Sequence, residues 1–349
     1  MMRSILAHSC FAGMILGCLV GTTVHRASAQ SSEGGVAAID WPDIQEKARK
    51  EGRVVVYATP PILDRLKPDF EKANPGIELE FSRGWAGSEV AAKVDAERQS
   101  GADGADLIII TDMSAKPWYA DKVKGRLLVA PAGPDATTWP SDWMWRGVTP
   151  VVGMEPMVIA YNTNIIRDRL TGYQDLLKPE FKGKFASMEF ATVTIATWYD
   201  WLERTQGPDF LAKFAAQHPH PYTGSVAAAQ AVAAGELNAV SFATMSTIKP
   251  LIAMGAPIRM VIPAPSFGVA YTAAILRWAK RPNAAQVFMN YLLSPRGQEA
   301  WSGRGESASP RPGIPGSLDS KTVNASFPDI TPDEFNKMKD RWIQLVNTK

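Results

Sequence analysis

Between residues 41 and 112 short apolar runs alternate with stretches of helical period, and this alternation is what most restricts the fold. Asp40-Trp41-Pro42-Asp43 starts a helix, with Asp40 as cap and proline in the first turn. Ile44 and Ala48 share one face of it, and Gly52 ends it. Val54-Val55-Val56-Tyr57 is a continuous apolar run of the kind found in a strand covered on both faces. Leu63, Leu66 and Phe70 then line one helical face, which stops at Asn74-Pro75-Gly76. Ile77, Leu79 and Phe81 alternate with Glu78 and Glu80, giving a strand with one wetter face. Gly84 and Gly87 precede a helix over 88–99, apolar at Val90 and Val94, and Leu107-Ile108-Ile109-Ile110 is a further buried strand. Strand, helix, strand, helix, strand with short connections means helical crossovers between parallel strands.

After Thr111-Asp112 the rhythm changes. Residues 113–150 are rich in Trp, Pro and Gly, and Val158-Ile159-Ala160-Tyr161 then opens a second α/β set. That set contains a strand over 185–190, helices over 194–205 and 227–234, and a strand over 239–242. A strand over 271–276 leads to a helix over 283–293, for which Asn283 and Gln286 have the spacing of a capping box. Phe335, Met338, Trp342 and Leu345 recur at near-helical spacing, as expected of a terminal helix packed on a lobe. With 349 residues the chain is long enough for two domains.

The N-terminus reads as an export signal. Arg3 is followed by an apolar stretch from Ile5 to Val24, and Ala27-Ser28-Ala29 offers the small-x-small pattern of a cleavage site over residues 1–29. A retained anchor is the alternative, but His8, Ser9 and the glycines dilute the stretch below what a spanning helix needs. Lipid attachment at Cys18 is a third reading, with Leu16 a poor fit to it. Cleavage removes Arg3, Arg26 and no acid, so Lys plus Arg falls from 37 to 35 against 35 Asp plus Glu. A neutral chain without a basic run has no electrostatic footprint for nucleic acid. Both cysteines, Cys10 and Cys18, leave with the segment, which excludes disulfides and thiolate metal sites from the mature chain. The expected compartment is the periplasm.

Several stretches, in order, resemble the type II periplasmic binding proteins of ABC importers, in the branch that contains ferric-ion receptors. Glu51-Gly52-Arg53-Val54-Val55-Val56-Tyr57 resembles their first strand, and Phe70-Glu71-Lys72-Ala73-Asn74-Pro75-Gly76-Ile77 the turn after it. Ala105-Asp106-Leu107, Val158-Ile159-Ala160-Tyr161-Asn162-Thr163 and Phe181-Lys182-Gly183-Lys184 are similar to their later strand entries. Asn283 to Phe288 and Leu293-Ser294-Pro295-Arg296-Gly297-Gln298 resemble their C-terminal helix and its stop. The resemblance implies an α/β, two-lobed periplasmic binding protein fold of type II. Each lobe would be a mostly parallel sheet flanked by helices, and crossing hinge strands would join them. It implies lobe I at 50–112 and 265–310, lobe II at 113–264 and 311–349, and ligand capture by hinge closure. The partners it implies are a small-molecule ligand and ABC permease subunits, with the receptor a monomer, no nucleic acid, no cofactor and no enzymatic step.

Ligands of such sheets lie outside the carboxyl ends of strands, where helix N-termini can hold anions without lysine. Reading off those positions gives Thr59, Trp85, Ser88, Asp112, Tyr161, Thr192, Thr194, Ser225 and Thr244 as candidate ligand-binding residues. A Ser or Thr before a helix is also simply a cap, and a buried Trp is often core, so the cluster says more than its members. Arg83 could pair with a carboxylate or phosphonate, or be solvated. The resemblance also points away from bare ferric iron. Its iron-binding members carry adjacent tyrosines where this chain has Ala243-Thr244-Met245-Ser246, and a histidine where this chain has Pro60-Pro61. No metal site is expected, and His218-Pro219-His220 reads as a solvated loop. The expected ligand is a small polar or anionic solute: an organic acid, a phosphonate or a metal chelate.

Two other functions compete. An exported hydrolase needs a nucleophile beside a base, but the mature chain has no cysteine, one histidine pair and no glycine-x-serine-x-glycine elbow, leaving only carboxylate chemistry. A sensing subunit docked on a membrane receptor would share the fold and differ only in its partner.

Overall fold

A computed structural model describes residues 40–83, 87–190, 192–323 and 331–347. The export segment and Trp85 therefore lie outside the described residues. The first part runs α1 (Trp41–Glu51), β1 (Arg53–Ala58), α2 (Leu63–Ala73), β2 (Glu78–Arg83), α3 (Gly87–Ser100) and β3 (Leu107–Thr111). Next come α4 (Asp112–Lys124), β4 (Leu128–Val129), α5 (Pro134–Thr137), β5 (Met144–Trp145) and the long β6 (Thr149–Asn162). Beyond it are β7 (Phe185–Met188), α6 (Val193–Gln206), α7 (Phe210–Ala215), β8 (His220–Tyr222), α8 (Ser225–Ala234), β9 (Ala239–Thr244), α9 (Met245–Ala253) and β10 (Ile258–Val261). β11 (Gly268–Leu276), α10 (Pro282–Leu293), α11 (Pro295–Ser302), α12 (Ser320–Val323) and α13 (Pro332–Asn347) follow. Among the described residues no helix is long and apolar enough to cross a membrane.

The strands lie in the order β2-β1-β3-β11-β6-β9-β7-β8, with β10 and β5 on β6 and β4 on β11. Parallel pairing joins β2, β1 and β3 at one side and β9, β7 and β8 at the other. Between these trios β11 and β6 run antiparallel to their neighbours. The fold is thus two-lobed, and β6 belongs to both lobes. Its residues 151–156 pair with β11, and 157–161 with β9. Every residue of β6 is buried, as a strand shared by two cores must be. Gly153 lies so close to the Trp301 indole that a β-carbon would collide with it.

Local signals account for most elements. Asp40 caps α1 by accepting from the Asp43 amide at 3.1 Å, and Gly52 ends the helix at φ 76°, where only glycine is unstrained. Leu63, Leu66 and Phe70 of α2 are fully buried, and Phe70 meets Phe288 edge-on at 5.0 Å. Burial of each such side chain contributes about 2 kcal/mol. Val54 and Val56 face one side of β1, while Tyr57 packs with Val90 and Val94 on the other. On the terminal helix α13, packed on α6 and α7, Trp342 is 1% exposed.

One expectation needs correction. The cap of α10 is not Asn283: the helix begins at Pro282, whose fixed φ and missing N–H suit the first position. Glu51 caps it from α1 instead, accepting from the Ala284 amide at 2.6 Å and from the Asn283 amide and side chain. Gln286 reaches the backbone at Ala130 and Ala132. Residues 113–137, which the resemblance assigns to the second lobe, form most of α4, set against β3, β11 and α6, and all of α5, set against α10. Their apolar side chains have that sheet face to cover, which a local pattern cannot reveal. Asp106 is fully buried and ties β3 to β1 and to the start of α10, accepting from the Val55 amide at 2.8 Å and from Arg281 Nε at 2.7 Å.

Candidate functional site

The pairing registers bring the carboxyl ends of strands from both lobes to one short stretch of β6. In the first lobe β3 ends at Thr111, opposite Tyr271 of β11, and Tyr271 in turn lies opposite Gly153 of β6. The Thr59 amide, just past β1, donates to Ile109 of β3 at 2.9 Å. In the second lobe β9 ends at Thr244, opposite Met157 of β6. β7 runs parallel to β9 and leads to Thr192 at the start of α6. The stretch Gly153–Met157 is therefore the floor on which both sets of strand ends converge.

Most of the candidate residues stand on that side. Thr59 has a buried hydroxyl oxygen without a hydrogen-bond partner among the described residues. Thr192 caps α6 by accepting from the Ile195 amide at 3.3 Å, and Thr194 is buried in the first turn. Ser225 is the first residue of α8, Ser88 the exposed second residue of α3, and Asp112 the first residue of α4. Tyr161 stands elsewhere. It pairs with Ala239 at the start of β9, about 13 Å along β6 from Met157 at the usual rise of a strand. Its hydroxyl is buried and has no partner among the described residues.

Of the other groups considered in the sequence, Arg83 pairs with Asp64 of α2 at 2.5 Å, both side chains about half exposed. His220, on the edge strand β8, has Nε2 3.0 Å from the Gly183 carbonyl oxygen.

The densest polar cluster surrounds the start of α9. Thr244 caps that helix, accepting from the Thr247 amide at 3.3 Å. Its hydroxyl is 3.0 Å from that of Ser246 and 2.8 Å from that of Thr247. Ser246 donates to Glu155 on β6 at 2.8 Å. Glu155 is 1% exposed. Burial pushes its carboxyl up to about 7; the Ser246 and Thr244 hydroxyls and Arg65 oppose the rise, and the charge of Glu306 adds to it. Arg65 of α2 pairs with Glu306 at 2.7 Å, and Lys249 of α9 donates to the Arg304 carbonyl at 2.7 Å. Side chains of both lobes thus meet behind the floor.

Sequence reading missed Glu155, Ser246 and Thr247. A signal was present for the first: Glu155 is the one charged residue in the run 151–160, and an acid is placed in such a run only with partners. Ser246 and Thr247 carried no comparable mark, because hydroxyls in the first turn of a helix are common for capping reasons alone.

A family profile described as bacterial extracellular solute-binding protein matches residues 66–328. No curated protein matches the chain. Among solved structures it is similar to a substrate-binding protein of an ABC transporter from Agrobacterium tumefaciens, with TM-score 0.73 and 16% identity over 86% of this chain and 97% of that one. The periplasmic binding protein AfuA from Actinobacillus pleuropneumoniae, with fructose-6-phosphate bound, gives TM-score 0.66 and 19% identity over 86% and 100%. Iron-bound HitA from Pseudomonas aeruginosa gives 0.60 and 18% over 84% and 98%. These likenesses establish the fold.

Proposed function

Because the chain belongs to the bacterial extracellular solute-binding protein family, we propose that it is the periplasmic receptor of an ABC importer. In this reading it closes two lobes around a small polar or anionic solute (an organic acid, a phosphonate or a metal chelate) and delivers it unchanged to permease subunits as a monomer. The observation that carries the reading is the convergence of strand ends and capped helix starts from both lobes on Gly153–Met157. Amides at helix starts and neutral hydroxyls suit an anion. Where iron receptors carry adjacent tyrosines this chain has Ala243-Thr244-Met245-Ser246, whose hydroxyls offer hard ferric iron no anionic oxygen of their own. We assign residues 50–137 and 268–310 to the first lobe and most of 157–264, with α13, to the second, β6 being common to both.

The test is a thermal-shift series on the protein freed of residues 1–29, against organic acids, phosphonates, sugar phosphates and ferric citrate. Mass spectrometry of any solute retained through purification accompanies it. Stabilisation by one anionic class, with a fall in radius of gyration by X-ray scattering, is expected. Polyamines and neutral sugars complete the series, and stabilisation by these alone, or by no compound in it, would overturn the reading.

A further inference from the structure

The hydroxyls at the start of α9 form a chain whose direction Glu155 dictates, and we propose that Glu155 is a positioning residue that couples solute capture to a proton. The inference rests on the anion reading above. A hydroxyl carries one proton and can accept twice, while an ionised carboxylate only accepts. With Glu155 ionised, the Ser246 proton is committed to the carboxylate, 2.8 Å away. The 3.0 Å contact between Thr244 and Ser246 then requires Thr244 to donate, and the 2.8 Å contact between Thr247 and Thr244 requires Thr247 to donate. Every proton in the chain points inward, towards Glu155. What the cluster turns to a solute is oxygen lone pairs, backed by a buried negative charge. Such a surface repels anions.

A protonated Glu155 reverses this order. Its carboxyl donates to Ser246, Ser246 to Thr244, and Thr244 to Thr247, so the Thr247 proton is released from the cluster as a donor. The buried negative charge disappears in the same step. The start of α9 then offers an O–H beside the positive end of the helix, the arrangement an anion prefers. A carboxyl raised to about 7 by burial makes both states accessible near neutrality.

The charged groups around Glu155 leave the decision to it. Arg65 of α2 is bound to Glu306, which follows α11, and Lys249 of α9 lies 4.0 Å from the same carboxylate. Tyr271 of β11 is itself raised well above the usual phenol value, by burial and by Glu155, so it stays neutral. On α11, Arg296 is held by Asp69 and Glu299 is exposed, as is Lys321 of α12, which also packs on β6. Arg259 of β10 lies opposite Tyr161, remote from the cluster. No titratable residue stands on α8.

Sulfate is the probe, because it stays doubly charged across the range tested. Calorimetric titration of the wild-type protein is expected to show affinity about tenfold higher at about pH 5.5 than at about pH 8.5, with a proton taken up on binding near neutrality. Glu155→Gln, permanently neutral, is expected to bind at both values as tightly as the wild type does at the lower one. Ser246→Ala, which keeps the carboxyl but interrupts the chain, is expected to flatten the profile, and it serves also where the first variant does not fold. Wild-type affinity equal at both values would overturn the coupling and leave the anion reading standing. A full pH dependence in Ser246→Ala would overturn the hydroxyl chain as its route. Absence of sulfate binding at both values would overturn the coupling, while the anion reading stands or falls on the thermal-shift series.

Discussion

Glu155 shows how much a single buried acid can govern. Its carboxyl ionises at about 7 in the folded protein, against an ordinary 4.5, so the folded state holds the proton more tightly than the unfolded chain does. The stability linked to it is complete below about pH 4.5 and is lost as pH rises through about 7, by up to about 3 kcal/mol. The unfolding temperature of the ligand-free protein should therefore fall between about pH 5 and about pH 8, and Glu155→Gln should remove most of that fall. A variant that tracks the wild type across this range in thermal scans would contradict the assignment. Other single residues separate what could be read from what could not. Thr192 and Thr244 were legible as helix caps, because a hydroxyl before a helical run has a local reason to be there. The burial of Asp106 was not legible. Its partners Val55 and Arg281 are remote in the chain, and only the sheet brings them together. Tyr161 reads as a ligand residue in the sequence because it lies near the end of a strand. Its strand, however, runs antiparallel to β9, which puts that end beside the start of β9 and not beside Thr244.

Elements were legible where period and cap agreed. α1, α2, α3, α6 and α8 follow their sequence patterns to within a residue or two, since each has an apolar face and a stop signal. α4 was hidden inside a stretch rich in Trp and Pro, and it contains Pro117 as its sixth residue, which reads as a breaker because proline removes a helix hydrogen bond there. β4 and β5 are two residues each, too short for any period to register. The start of α10 is the clearest case of one element completing another. Glu51, the last residue of α1, supplies the acceptors that the first amides of α10 lack. Glu51→Ala should lower the urea midpoint by an amount worth about 1–2 kcal/mol, the usual cost of a lost cap. Proton exchange at the Asn283 and Ala284 amides should rise with it. An unchanged midpoint would mean that water replaces the carboxylate without loss.

At the scale of the molecule, one apolar cluster runs through both lobes. It holds Leu66 and Phe70 from the first and Phe185 and Trp198 from the second, with Met157 and Val158 of β6 between them. The lobes should therefore unfold together. Far-ultraviolet and near-ultraviolet dichroism should report coincident thermal transitions in the ligand-free protein, and two separated steps would contradict a shared core. The two-lobed architecture was legible from the order of strands and helices. The sharing of β6 was not, because a strand fully buried along its length looks alike in sequence whether it serves one sheet or two.

The order of strands also sets the order in which the chain can fold. β3 comes early, yet its second neighbour in the sheet is β11, and the helices that cover β1 and α2 are α10 and α11. These elements end only at Ser302. A chain that emerges N-terminus first, whether from a ribosome or through a membrane channel, must leave its first lobe with an open sheet edge and a bare apolar face until most of its length has appeared. During that interval the segment 53–111 lacks the strand that completes its sheet. Delay at this stage keeps the chain threadable, and completion of β11 is the event that makes it a receptor.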